Sequence, residues 1–82
     1  MTMHINEILD IYTNFNTIGL YDKVSNEFVN IFVIADNDIT LAIFEIYDDN
    51  EYIMSNNNED FGRPFAELTE EYIDGGYEYR PL

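Results

Sequence analysis

Acidic residues near the end of the chain recur at the spacing of one helix face. They occupy positions i, i+3, i+4 and i+7: Glu67, Glu70, Glu71 and Asp74. No basic residue lies between Arg63 and Arg80 to offset their repulsion. Like charges at i, i+4 cost about 0.2–0.5 kcal/mol per pair. Carboxylates crowded in this way can bind the guanidinium and ammonium groups of another protein. An ordinary solvated helix face is the alternative interpretation, although such a face normally intersperses lysine and arginine.

A second acidic group coincides with a predicted turn. Its members follow one another closely: Glu45, Asp48, Asp49, Asn50 and Glu51. Aspartate and asparagine are common in turns because their side chains bond to nearby backbone groups, and this explains part of the group. Glu45 and Glu51 fall in predicted strands, where glutamate is disfavoured. We therefore interpret the group as a second part of a partner-binding surface.

Tyrosines accompany the acids at the end of the chain. Tyr77 and Tyr79 flank Glu78 after the acidic helix. Tyrosine is enriched in protein interfaces and at their hot spots, so we expect both tyrosines to be partly exposed and to join the partner-binding surface with Glu78. The polar loop before the helix adds Glu59 and Asp60 to the same predicted surface.

The sequence has few residues that could perform catalysis. It has no cysteine, and its one histidine, His4, lies near the N-terminus. Ser25 and Ser55 have no base close to them in sequence. The segment from Asn56 to Glu67 places oxygen-bearing side chains at several positions of a calcium-binding loop, but Phe61 stands where that loop requires glycine. We expect no catalytic residue, no metal site and no cofactor, and therefore a protein that is not an enzyme.

Net charge restricts the possible partners. The 82 residues contain 17 acids and three bases, which gives a net charge of −14. Solubility of a small domain is served by a net charge of roughly 2–8 in magnitude, and the excess opposes folding by self-repulsion. Nucleic acids and anionic membranes require lysine and arginine, so we expect neither as a direct partner. A basic protein, or a bound cation, is the partner that this charge favours, and the lack of an apolar leader predicts a cytoplasmic location.

The pattern of apolar residues and turn signals predicts one α+β domain, residues 1–82. The predicted order is α-β-β-β-β-α, an antiparallel meander sheet of 3–4 strands with an N-terminal helix and a C-terminal helix packed on one side of it. The predicted elements are a helix from about Thr2 to Asn14, strands Thr17 to Tyr21, Glu27 to Ala35, Ile39 to Tyr47 and Glu51 to Ser55, a helix from Pro64 to Gly75-Gly76, and an extended tail from Tyr77.

Two segments resemble a known family. The segment Met3 to Leu9, and Asn50 to Ser55 followed by Asn58 and Glu59, are similar to phage-encoded type II-A anti-CRISPR proteins, which inhibit Cas9. In that family a helix, an antiparallel sheet and further helices present an acidic surface. That surface fills the site where Cas9 reads the short motif flanking its DNA target. The resemblance implies that the turn Asp48 to Glu51 reaches toward the nuclease and that Glu59 belongs to the acidic face.

These observations lead to three hypotheses of function. The first is an acidic nucleic-acid mimic, a phage protein acting in the bacterial host cell, that blocks DNA binding by a defence nuclease such as a Cas9-type effector. Phage DNA mimics directed against restriction enzymes form the broader group. The second is an immunity protein or antitoxin that caps a basic nuclease toxin. The third is a cation-binding or interaction module without enzymatic activity.

Overall fold

A computed structural model describes residues 1–55, 58–72 and 75–82. Within these ranges, six strands form one antiparallel sheet, accompanied by two short α-helices and one 3-10 turn. The strand order across the sheet is β1-β5-β4-β3-β2-β6. In chain order the elements are β1 Met3–His4, α1 Ile5–Ile11, β2 Asn16–Asp22, β3 Glu27–Ile34, β4 Thr40–Asp48, β5 Glu51–Met54, the 3-10 turn Asn58–Asp60, α2 Phe65–Tyr72 and β6 Tyr77–Pro81.

The predicted sheet of 3–4 strands between two terminal helices is wrong. The four predicted strands are confirmed to within one residue at each end as β2 to β5, but the sheet gains a strand at each edge. At one edge, β1 pairs with β5, with Met3 opposite Tyr52. At the other edge, β6 pairs with β2, with Tyr79 opposite Leu20. Both additional strands join partners that are distant in sequence, and local patterns carry no information about such pairing.

The N-terminal helix is shorter than predicted because a cap fixes its start. His4 has extended backbone angles, and its Nδ1 accepts the backbone N–H of Asn6 at 3.1 Å. The Glu7 carboxylate accepts the backbone N–H of His4 at 3.3 Å, which completes a capping box. The helix therefore begins at Ile5, and the residues before it are available to pair as β1.

The two helices cover opposite faces of the sheet, so the prediction that both pack on one side is also wrong. Side chains alternate along β3, and all four of its last residues are buried. Ile31 and Val33 belong to the cluster that contains the α1 side chain Ile8. Phe32 and Ile34 belong to the cluster of the α2 side chains Phe65 and Leu68. A central strand that is buried on both faces explains the unbroken apolar run in this part of the sequence.

Backbone hydrogen bonds fix the start of helix α2 and, separately, the chain at Gly76. At its start, the backbone N–H of Phe65 donates to the Asp38 carbonyl at 2.7 Å, and that of Ala66 donates to Asp38 Oδ2 at 3.1 Å. After the helix, the Gly76 carbonyl accepts the backbone N–H of Lys23 at 3.0 Å. The helix therefore crosses the sheet from the β3–β4 turn to the end that carries the β2–β3 turn.

Close packing between β2 and β3 gives a testable prediction for Gly19. A Cβ atom added at Gly19 would lie 2.2 Å from Cδ1 of the Phe28 ring, which is far inside normal contact distance. We expect Gly19→Ala to lower the free energy of unfolding by about 1–3 kcal/mol, because the ring must move within a packed cluster. Chemical denaturation monitored by circular dichroism measures this change.

Gly76→Ala is the matched control, because a Cβ at Gly76 meets no atom within 4 Å. We expect this variant to stay within about 0.5 kcal/mol of the parent protein. Equal destabilisation by the two substitutions would contradict the packing of Phe28 over Gly19.

Candidate protein-binding surface

Two hairpin turns lie at the same end of the sheet. In the meander, the β2–β3 and β4–β5 turns share one end and the β3–β4 turn lies at the other. Asn30 pairs with Glu45 at this end of the β3–β4 ladder, and Glu27 and Asp48 lie beyond that pair on their strands. We call the acidic side chains of these two turns and their closing strand residues the acidic end: Asp22, Glu27, Asp48, Asp49 and Glu51.

Each of the two hairpins closes with a pair of like charges. Asp22 is directly opposite Glu27, and Asp48 is directly opposite Glu51. Directly opposed side chains in an antiparallel pair lie about 4.5–5.5 Å apart at Cβ, and like charges there are destabilising. The sheet therefore bears an electrostatic cost at this end, and a cation or a basic protein surface would relieve it.

Turn chemistry explains only part of the acidic end. The Asp22 carboxylate accepts the backbone N–H of Val24 at 2.9 Å, and this bond holds the pKa of Asp22 below its usual value. Asp48 Oδ1 accepts the backbone N–H of Asp49 at 2.8 Å. Glu27 and Glu51 lie in strands rather than turns, and no such backbone bond to either carboxylate is present in the described ranges. Their positions are therefore not explained by local hydrogen bonding.

The shape of the turns is fixed by the backbone. Asn26 and Asn50 have positive φ angles of 60° and 57°, a conformation that asparagine adopts more readily than most residues. The Asn50 carbonyl also accepts the backbone N–H of Ile5 at 3.0 Å, which attaches the β4–β5 turn to the start of α1. The backbone that carries the carboxylates of this turn is therefore fixed in position by these contacts.

The fields of the two turns overlap inside the sheet. The Tyr52 hydroxyl donates to the Phe28 carbonyl at 2.7 Å and lies beneath the acidic end. Burial raises the pKa of Tyr52, and the negative charges of Glu27 and Asp49 raise it further. One carboxylate from each hairpin thus raises the pKa of the same hydroxyl.

The acidic helix face is present in part. Glu67 and Glu70 are exposed on α2, and Glu59 is exposed before it. Asp74 and the side chain of Glu71 lie outside the residues that the structure describes. Glu67 is also an ion-pair partner, since its Oε2 lies 3.7 Å from a guanidinium nitrogen of Arg63. These acids belong to α2, whereas the acidic end is formed by the hairpins.

Two other predicted residues have local structural contacts. Asp60 is buried, and its Oδ1 lies 3.1 Å from Nη1 of Arg63, so its charge is neutralised within the fold. Glu45 is exposed on β4 and accepts a hydrogen bond from Ser55 Oγ at 3.4 Å. Within the described ranges, no group of three or more histidine, cysteine or acidic side chains is placed to hold a metal ion.

The residues after α2 are divided between the core and the edge of the sheet. The Tyr79 ring packs against Phe32 and Phe65 with centroid separations of 5.9 and 5.3 Å, and the Tyr77 ring packs against the same cluster. The Tyr79 hydroxyl is buried without a hydrogen-bond partner in the described structure, and burial raises its pKa to about 12. Glu78 pairs with Arg80. These contacts give Tyr79 a structural role.

Asp22 and Glu27 are functional candidates that the sequence analysis missed. They lie in an ordinary turn and strand, and nothing local to them signals a site. The signal that could have identified them is topological, because alternate turns of a meander share an end. The predicted β-meander already placed this hairpin beside the turn at Asp48 to Glu51.

No protein-family model, curated protein or solved structure matches this chain. Among the described residues, no helix is long and apolar enough to cross a membrane.

The contrast between two buried tyrosines gives a second prediction. We expect Tyr79→Phe to change the free energy of unfolding at neutral pH by less than about 1 kcal/mol, because the lost hydroxyl has no partner. Tyr52→Phe is the matched control. It should cost about 1–3 kcal/mol, because the buried Phe28 carbonyl loses its donor.

Alkaline pH should separate Tyr79→Phe from the parent protein. Tyr79 ionises near 10.0 when unfolded and near 12 when folded, so its contribution to stability is present below pH 10 and is lost as pH rises toward 12. Denaturation curves across that interval should show a smaller loss for Tyr79→Phe than for the parent. Identical losses would contradict the buried position of this hydroxyl.

Proposed function

We propose that this protein is a non-enzymatic inhibitor that occupies the basic DNA-binding surface of a defence nuclease, most specifically a Cas9-type effector, and thereby blocks DNA binding. The observation that carries the proposal is the pair of hairpins that place opposed carboxylates, Asp22 with Glu27 and Asp48 with Glu51, at one end of the sheet. Turn hydrogen bonds account for Asp22 and Asp48, but each faces a second carboxylate, and a cationic partner makes these opposed pairs favourable.

The mechanism is steric and electrostatic. Arginine and lysine that normally contact phosphates, or that read base edges in the flanking motif, would instead pair with carboxylates of the acidic end. Such charge-assisted hydrogen bonds are strong where water is excluded, and no covalent step is needed. Complementary fields would accelerate association and make it sensitive to salt.

The distribution of bases supports a partner-facing role for the acids. Arg63 forms ion pairs with Asp60 and with Glu67 of α2. Arg80 forms an ion pair with Glu78 on β6. Arg63 is thus engaged at α2, and Arg80 is engaged on β6, where its guanidinium also lies 3.7 Å from the centroid of the Tyr21 ring. Lys23 is exposed in the β2–β3 turn and is the one base close to it in sequence. The acidic end therefore keeps most of its charge available to a partner.

The resemblance to anti-CRISPR proteins supports the choice of Cas9 among basic partners. Part of the similar segment, Asn50 to Ser55, includes Glu51 of the acidic end and runs into β5 beneath it. The other similar segment contains β1 and the start of α1, which the Asn50 carbonyl ties to the same turn. Both segments of resemblance thus lie at or beside the proposed binding surface.

The proposal predicts that inhibition depends on position as well as on charge. We expect Asp48→Lys combined with Asp49→Lys to weaken binding to a purified Cas9–guide complex by about 2 kcal/mol or more, roughly 30-fold. The parent protein should inhibit cleavage of a duplex target, and duplex DNA should compete with it. Binding measured by biolayer interferometry and cleavage measured on gels provide the two readouts.

Two charge-matched variants serve as controls. Glu67→Lys with Glu70→Lys tests the helix face, and Asp10→Lys with Asp36→Lys changes two exposed acids outside both groups. Each double variant raises the net charge by the same amount. Equal weakening by all three would indicate a nonspecific charge effect and would contradict a defined site at the acidic end.

The identity of the partner is tested in parallel with a basic nuclease toxin domain as the second analyte. Tight, salt-sensitive binding to the toxin domain without inhibition of Cas9 would replace the proposal with the immunity-protein hypothesis. Absence of salt-sensitive binding to either protein would contradict both.

A further inference from the structure

Strand β6 leaves one edge of the sheet unpaired among the described residues. Its pairing with β2 is bracketed by two backbone hydrogen bonds. The N–H of Lys23 donates to the Gly76 carbonyl at 3.0 Å, and the N–H of Leu82 donates to the Thr17 carbonyl at 3.1 Å. In an antiparallel ladder, hydrogen-bonded and non-hydrogen-bonded pairs alternate, so these two bonds determine which way every backbone group of β6 points.

This alternation directs the backbone N–H and carbonyl groups of three β6 residues toward the open edge of the sheet. Glu78 and Arg80 occupy hydrogen-bonded positions and face β2, whereas Tyr77, Tyr79 and Pro81 turn their backbone groups to the open edge. Pro81 has no N–H, so its place on the outer side breaks no bond to β2. The open edge therefore offers two N–H donors and three carbonyl acceptors.

A second copy of β6 complements this edge in one particular register. If Tyr79 of one chain is placed opposite Tyr79 of the other about a twofold axis, the two residues exchange both of their outward hydrogen bonds. Tyr77 N–H then faces the Pro81 carbonyl of the second chain. The missing Pro81 N–H leaves only the Tyr77 carbonyl without a donor on each side.

The charges of β6 match in the same register. Glu78 of one chain lies directly opposite Arg80 of the other, in the closer type of antiparallel pair, and the symmetry creates this contact twice. Shifting the register by two residues in either direction brings Glu78 opposite Glu78 or Arg80 opposite Arg80. The edge thus selects one alignment with itself through both hydrogen bonding and charge.

We propose that β6 pairs with β6 of a second copy of this chain, antiparallel and centred on Tyr79, to form a continuous sheet across a twofold dimer. The proposal is independent of the function proposed above, because it uses the edge strand and not the acidic end. A pair of five-residue strands buries less than the roughly 1,000 Å² of a stable interface, so the dimer is a weak one that forms at high protein concentration.

Net charge gives the dimer an unusual dependence on salt. Two chains with a net charge of −14 each repel one another at long range, and added salt screens that repulsion. We therefore expect dimerisation to strengthen as sodium chloride is raised. Binding of a basic partner should instead weaken under the same conditions, which keeps the two proposals experimentally distinct.

The first test uses the parent protein from micromolar to millimolar concentration. Sedimentation equilibrium should show a monomer–dimer equilibrium that shifts toward dimer at higher salt. NMR of a mixture of labelled and unlabelled chains should show intermolecular contacts between the α-protons of Glu78 and Arg80, as expected for a non-hydrogen-bonded antiparallel pair. The Tyr77 and Tyr79 amides should gain protection from exchange as concentration rises.

Charge-swapped variants make the test independent of folding. Glu78→Arg alone places like charges opposite each other in a homodimer, and Arg80→Glu alone does the same. Mixing the two single variants restores both opposite-charge contacts, so the mixture should associate about tenfold or more tightly than either variant alone. Circular dichroism of each variant checks that β6 and the sheet remain formed.

Several outcomes would overturn the proposal. One is a parent protein that remains monomeric at every concentration and salt. A second is a mixture of folded single variants that associates no better than its components. A third is a dimer whose intermolecular contacts exclude β6.

Discussion

The central strand β3 must be covered on both faces, and the arrangement of the molecule follows from that requirement. Ile31 and Val33 need apolar cover on one side, and Phe32 and Ile34 need it on the other. Two short helices supply the cover, each too short to be stable alone and each held in place by the sheet. The acidic end and the open edge of β6 lie outside these two covered clusters, where partner contacts are possible.

Local chemistry was sufficient to predict the meander. The runs of Val, Ile and Phe separated by Asp-Asn and Asp-Asp turns led to β2 to β5 with accurate ends, because hairpins depend on neighbouring residues. The edge strands were not predictable in the same way. Met3–His4 is too short to signal a strand, and Tyr77–Pro81 has no hairpin turn that joins it to its partner. Each becomes a strand only by joining a segment that is distant in sequence.

The candidate site was predicted in part for the same reason. The turn at Asp48 to Glu51 was recognised from its composition, whereas Asp22 and Glu27 joined it only through topology. Composition also does not reveal where an acid or tyrosine has contacts inside the fold. Asp60 contacts Arg63 and Tyr79 packs against Phe65, and these contacts have no signal in the neighbouring sequence.

The pairing of β6 with β2 has a consequence for the order of assembly. The β-hairpins close over short loops, whereas β6 must find β2 from nearly the opposite end of the chain, so it carries the largest loop-closure entropy. Tyr79 on β6 packs against Phe65 on α2, so this helix and this strand stabilise each other. We expect them to dock last and to detach first as one cooperative unit, which native-state hydrogen exchange would reveal as a shared opening free energy below that of β3 and β4. We therefore expect α2 and β6, which complete one core cluster, to be the first part of the fold that becomes accessible to a protease.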